Sequence, residues 1–179
     1  VTEAYGQKIS EDALRVATAI ELVHSGLLIH DDIIDKDTSR RGNDALHVQY
    51  EQLSTSLKIQ NGADFGEAMA ICLADITFFL STDLISACTK VKIIPSLLHV
   101  LSDEFASVCL GQMQDITYGY SSDIPEEKEI LSLYKYKTAR YTFSLPFTAG
   151  AIIAGAKKNE IKKLEIFGEH IGLIFQIQD

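Results

Sequence analysis

Apolar positions along this chain recur at intervals of three and four, and alternation at two is scarce. From Leu14 through Val16, Ala17, Ile20, Val23, Leu27 and Leu28 to Ile34, the spacing marks one face of a helix. Ser10 stands ahead of this run as an N-cap, with Glu11 and Asp12 in the first turn, where the helix dipole favours acids. The pattern predicts a first helix reaching about Lys36, roughly 26 residues and about 39 Å long. It carries almost no charge between Glu21 and Asp31, which places it centrally in a bundle. Residues 37–63 break the pattern with Ser, Thr, Asn, Asp and Gly. They predict a loop with one short helix around Ala45–Glu51, and a loop of that length is unusual unless functional.

Further helices are predicted over 64–82 (through Met69, Ile71, Leu73, Ile76, Phe79 and Leu80) and over 95–118, opened by Pro95. After a turn at 119–125, a fourth helix covers 126–145 and is ended or kinked by Pro146. A small apolar helix at 147–155 and a last one at 160–179 complete the chain. No internal repeat is visible. The reading is an all-α bundle with long central helices, in one domain spanning 1–179.

Composition narrows the classes. The chain is 46% hydrophobic, enough for a sizeable core. Its net charge of −9 argues against a general nucleic-acid binder or a basic membrane-surface protein. Cys72, Cys88 and Cys109 lie far apart inside apolar segments and read as buried free thiols of a reducing, cytoplasmic compartment. No unbroken run of 18 apolar residues is present, so no membrane span is expected.

The densest chemistry closes the first helix. His30-Asp31-Asp32-Ile33-Ile34-Asp35 is followed by Arg40-Arg41-Gly42. On a helix Asp31 and Asp35 share a face about 6 Å apart, with Asp32 about 100° round. Crowded carboxylates repel unless a cation joins them. Mg²⁺ suits them, because it takes one or two carboxylates and completes its shell with water and phosphate oxygens. The arginines point to an anion, most simply a phosphate held by a planar fork. A solvated acidic helix end is the bland alternative. A calcium loop starting at Asp35 fails, because its sixth position is Arg40 and its twelfth Leu46. His24 lies on the same stripe as Glu21, Leu28, Asp31 and Asp35, and is either a satisfied core histidine or part of a polar wall. Glu21-x-x-His24 has di-iron spacing, but no second Glu-x-x-His exists.

These segments, together with Gly111-Gln112-x-x-Asp115, Tyr136-Lys137-Thr138-Ala139 and Gly172-x-x-Phe175-Gln176-Ile177-Gln178-Asp179, stand in an order that resembles the trans-isoprenyl (polyprenyl) diphosphate synthase family of farnesyl and geranylgeranyl diphosphate synthases. The resemblance covers nearly the whole chain. It implies an isoprenoid synthase-type bundle around a deep cavity. It also implies Mg²⁺-dependent condensation of isopentenyl diphosphate with an allylic diphosphate, and a homodimer. Under it, Asp31, Asp32, Asp35 and Asp179 would serve the metal ions. Arg40 and Lys137 would hold the allylic diphosphate. Arg41 and His24 would contact isopentenyl diphosphate, with Phe175 and Gln176 flanking that site. Thr138 would help stabilise the allylic cation, and Gln112 and Asp115 would line the same cavity.

Two departures accompany the resemblance. The second aspartate-rich motif stops at its first residue, Asp179, and no Gly-Lys-x-x-Arg-like stretch precedes Ser10. The expectation is a piece of a longer enzyme, itself inactive or nearly so. The family's product-length position, five before the first Asp, is Gly26, followed by Leu27; with no bulky plug, geranylgeranyl diphosphate or longer is expected. The rivals are a non-catalytic subunit of a heteromeric prenyl synthase, a class I terpene cyclase, and a metal-binding carboxylate bundle. The cyclase shares the first Asp motif but lacks the Lys-Thr and Phe-Gln pairs.

Overall fold

The computed structural model describes residues 1–178, and most of these are helical. Asp179, the expected further metal ligand, lies outside the described residues. The chain divides into two compact units, Val1–Ala17 with Cys88–Asp179, and Thr18–Ala87.

In the smaller unit, α1 (Glu11–Ile34), which begins in the larger unit, runs into a short hairpin of β1 (Ser39–Arg40) and β2 (Asn43–Asp44), then α2 (Leu46–Leu57) and α3 (Gly62–Ser86). The expected N-cap of α1 forms: Ser10 Oγ accepts from the Ala13 N–H at 3.2 Å. The predicted long loop is resolved into the hairpin and α2, which leaves only residues 58–61 to link α2 to α3. Small residues let the helices close up. A Cβ at Gly66 of α3 would stand 2.3 Å from the His47 carbonyl of α2, and Ala70, Ala74 and Ser81 continue the buried stripe of α3.

The larger unit holds α4 (Ile94–Tyr120), α5 (Glu127–Tyr134), a π-helical stretch (Lys135–Ser144), α6 (Leu145–Ala154) and α7 (Lys158–Gln178). Leu97, Leu101, Glu104, Val108 and Gly111 form the buried stripe of α4, at alternating steps of four and three. The predicted fourth helix does not end at Pro146, one of the two outcomes expected there: helical backbone continues from 127 to 154. Pro146 has no N–H for an α-type bond to Thr142. Just upstream the ladder already steps by five, with the Leu145 N–H donating to the Arg140 carbonyl.

The last carbonyls of α6 are satisfied from elsewhere in the unit: Gln7 Nε2 donates to Ala154 O at 2.8 Å and Lys90 Nζ to Ile153 O at 3.0 Å. The start of α1 is stapled by Asp12, whose carboxylate accepts from the Thr89 N–H, the Thr89 hydroxyl and the Lys90 N–H at 2.8–3.0 Å.

One expectation needs correction. Cys88 is buried, but Cys72 and Cys109 are exposed; apolar sequence neighbours on a helix do not share a residue's direction. Among the described residues three helices, Glu11–Ile34, Gly62–Ser86 and Val91–Tyr120, are long and apolar enough to cross a membrane by length and composition. None of them contains an unbroken apolar run of 18 residues, because charges and small polar residues interrupt each one.

Candidate functional site

The smaller unit carries the aspartate-rich segment. Helix α1 ends in a Schellman motif: Lys36 takes the left-handed conformation (φ 59°), the Asp37 N–H donates to Asp32 O at 2.8 Å, and the Lys36 N–H to Ile33 O at 3.4 Å. The chain then reverses. Ser39 pairs with Asp44 and Arg40 with Asn43, and the two residues between, Arg41 and Gly42, have φ of 53° and 80°. That is the geometry of a type I′ turn.

The hairpin brings Arg40 back over the helix end. Its Nε donates to Asp32 Oδ1 at 2.5 Å, a second guanidinium nitrogen pairs with the same oxygen, and Asp31 Oδ2 and Asp37 Oδ2 each lie 3.8 Å away. Asp32 is buried. The hydrogen bond to Asp32 holds the Arg40 guanidinium more firmly in its charged form than usual, against the opposing effect of burial. The three aspartates therefore differ. Asp32 is the internal counter-ion of Arg40. Asp35 is exposed in the turn just past the helix, and its N–H donates to Asp31 O at 2.8 Å. Arg41 is exposed at the tip of the hairpin.

Along α1, His24 and Leu27 are half-buried. Gly26 is buried against α3, where a Cβ would meet Thr77 Oγ1 at 2.4 Å and Phe78 Cε1 at 2.7 Å. His30 stacks edge-on against Phe78 with centroids 5.5 Å apart, and its Nε2 lies 3.8 Å from Asp75 Oδ1.

In the larger unit, Asp115 of α4 receives the Lys137 ammonium from the π-helical stretch. Gln112, one turn earlier, is half-buried, and its Nε2 is enclosed without a hydrogen-bond partner. Thr138 is half-buried beside Lys137. On α7, Phe175 is largely exposed, with its ring 5.4 Å from that of Phe143, and Gln176 is half-buried.

The sequence reading missed the neighbour of these groups. Arg140 forks onto the buried Glu104 of α4, with Nε to Oε2 at 2.9 Å and a terminal nitrogen to Oε1 at 2.6 Å, and reaches Glu169 of α7 at 3.0 Å. Lys135 Nζ lies 3.0 Å from the other Glu169 oxygen. The partners stand 36 and 29 residues from Arg140, so no local pattern announces them.

Among the described residues, no three His, Cys, Asp or Glu side chains gather into a ready-made metal cage. The donor chemistry of Asp31 and Asp35 nevertheless fits Mg²⁺. It uses one or two carboxylates and draws its other ligands from water and phosphate.

The aspartate cluster at the end of α1, the Arg40 hairpin beside it, and Lys137-Thr138 on the π-helical stretch stand in the chain order noted in the sequence. The sequence model of the polyprenyl synthetases matches residues 1–179, and the chain belongs to that family. It is 37% identical over 168 residues to a short chain isoprenyl diphosphate synthase of Methanothermobacter thermautotrophicus, covering 94% of this chain and 46% of that protein. It is 32% identical over 173 residues to a geranylgeranyl diphosphate synthase of Sulfolobus acidocaldarius, covering 94% and 47%. The solved geranylgeranyl pyrophosphate synthase of Corynebacterium glutamicum, complexed with isoprenyl diphosphate and magnesium, superposes with a TM-score of 0.84 at 28% identity, covering 93% of this chain and 47% of that one. The all-α isoprenoid synthase fold follows from these matches. The chain spans about half the length of the relatives it matches.

Proposed function

We propose that the protein to which this chain belongs is a trans-prenyltransferase that condenses isopentenyl diphosphate with an allylic diphosphate to give geranylgeranyl diphosphate or a longer prenyl diphosphate. The observation that carries the reading is the division of labour among the aspartates: Arg40 is hydrogen-bonded to buried Asp32 and lies 3.8 Å from Asp31, while Asp31 and exposed Asp35 stand one turn apart at one helix end. Under this reading Asp31 and Asp35 hold Mg²⁺, with Asp32 fixing Arg40 in place. Bound there, Mg²⁺ supplies charge neutralisation for the departing diphosphate.

The chain's own groups do the rest. Arg40 and Lys137 bind allylic diphosphate oxygens, and Arg41 and His24 those of isopentenyl diphosphate. The Thr138 hydroxyl or carbonyl faces the allylic cation, and Gln112 and Asp115 line its surroundings. Phe175 and Gln176 flank isopentenyl diphosphate. The C–O bond of the allylic diphosphate breaks, the isopentenyl double bond forms the new C–C bond, and the released diphosphate takes the proton. Apolar helices supply the surface that a growing prenyl chain needs and keep water from the cation. That use, and not a membrane span, is the role we assign to them.

We further propose that the two compact units belong to one synthase domain, that Asp179 serves the metal, and that the protein is a cytoplasmic homodimer. The continuous match of the family model supports the single domain. Three cysteines outside any disulfide suit a reducing compartment.

The test is calorimetric titration with farnesyl thiodiphosphate, with and without magnesium. Binding is expected only with magnesium, and the double variant D31N/D35N is expected to abolish it. Binding that ignores both the metal and the variant would remove the reading.

A further inference from the structure

The π-helical stretch carries Lys137 and Thr138, and nothing in its own sequence calls for a π ladder. Single-turn π-bulges are the common form, and ten residues of it need support from outside. The structure shows that support on both sides. From α4, Gly111 lets the backbone approach, since a Cβ there would stand 2.9 Å from Lys137 N. From α7, Gly172 and Gly168 do the same, with 2.4 Å to Ala139 Cα and 2.5 Å to Ser144 Cα. Between these contacts, Arg140 bridges the two flanking helices through Glu104 and Glu169.

We propose that Arg140 is a positioning residue: its fork onto Glu104 and its contact with Glu169 set the turn of the π-helical stretch that presents Lys137 and Thr138 to diphosphate. The proposal deepens the prenyltransferase reading and rests on it for the role of Lys137.

The pairing has the features of an orienting device. Glu104 is buried and takes both arms of the guanidinium, a geometry lysine cannot reproduce. Arg140 is three residues from Lys137, so a change of ladder that moves one turns the other. Tyr136 packs under the guanidinium at 5.9 Å and closes one side. Charge alone is not the point, because Lys135 already supplies a cation to Glu169.

Removing Arg140 alone strands a buried carboxylate and threatens the fold. The informative variant is therefore R140M/E104M, in which the pair is replaced by apolar groups of similar length. Two measurements decide. The first is hydrogen exchange without ligand. The double variant, checked to be folded by circular dichroism and thermal melting, is expected to exchange amides 137–142 about tenfold faster or more while α6 amides keep their protection. Unchanged exchange over 137–142 in the folded variant overturns the proposal.

The second is titration with inorganic diphosphate and magnesium. Affinity is expected to fall about tenfold or more in R140M/E104M. It is expected to fall no further when K137M is added, because Arg140 acts through Lys137. Additive losses from the two changes assign Arg140 a separate role and also overturn it. If the unaltered protein binds no diphosphate, the prenyltransferase reading has failed; the exchange measurement still judges the clamp.

Discussion

Arg40 Nε donates to Asp32 Oδ1 at 2.5 Å across a hairpin whose turn residues, Arg41 and Gly42, both have positive φ. One of the three aspartates at the end of α1 is thereby committed to the protein's own arginine. Asp32→Asn is therefore expected to act on stability, lowering it by about 1–3 kcal/mol through loss of a charged, buried hydrogen bond. Asp35→Asn, at an exposed position, is expected to leave stability within about 0.5 kcal/mol but to weaken magnesium-dependent diphosphate binding about tenfold or more. Urea denaturation and calorimetry on the two variants separate these effects.

Gly26 has no room for a side chain. Thr77 and Phe78 of α3 already fill the space where its Cβ would project. Gly26→Ala is expected to destabilise the protein by about 1–3 kcal/mol, the usual result of overpacking, and Gly26→Tyr by more. Thermal melts check this. Any change of product length in a Gly26→Tyr variant should be read beside its melting temperature, and paired with Thr77→Ala and Phe78→Ala, which together remove the side-chain atoms that Cβ would meet.

The contacts of the π-helical stretch give a graded series. Gly111→Ala and Gly172→Ala push a methyl group against backbone of residues 137 and 139, and are expected to lower stability by about 1–3 kcal/mol. Gly119→Ala, in the last turn of α4 with nothing within 4 Å, is expected to gain about 0.5–1 kcal/mol from helix propensity. A melting series in which all three behave alike would contradict the close approach.

Acid sensitivity should centre on Asp12. The Thr89 N–H chiefly holds its carboxyl below the ordinary carboxylate value, with help from Lys90 and against the effect of burial. Because the folded value lies below the unfolded one, its contribution is present above about pH 3.9 and is lost as pH falls through the lowered folded value. Asp12→Asn is expected to flatten that acid limb and to weaken the protein by about 1–3 kcal/mol at neutral pH. Denaturation curves between pH 2 and 7 check both.

Much of this was legible in the residues. Ser10 announced the start of α1, Pro95 the start of α4, and the three-four periodicity every long helix. The family could be read because Asp31, Arg40, Lys137 and Phe175 each sit in a short local motif. What stayed hidden was non-local or stereochemical. Arg41 in a left-handed turn position carries only Gly42 as a clue, so the hairpin looked like loop. The π ladder has the same side-chain spacing to the eye as an α-helix. The Arg140–Glu104 pair joins residues 36 apart, and only packing brings them together.

The wide ladder over 135–144 also has a bearing on how the chain reaches its native state. Left to itself, Lys-Tyr-Lys-Thr-Ala-Arg-Tyr-Thr-Phe-Ser would follow the ordinary four-residue step. The five-residue step depends on α4 and α7 being in place, and the links to Glu104 and Glu169 close long loops before they contribute anything. The segment that bears Lys137 and Thr138 is thus expected to acquire its final winding last, after its neighbours have docked. The residues assigned to chemistry would then be set in order by the closing step of assembly.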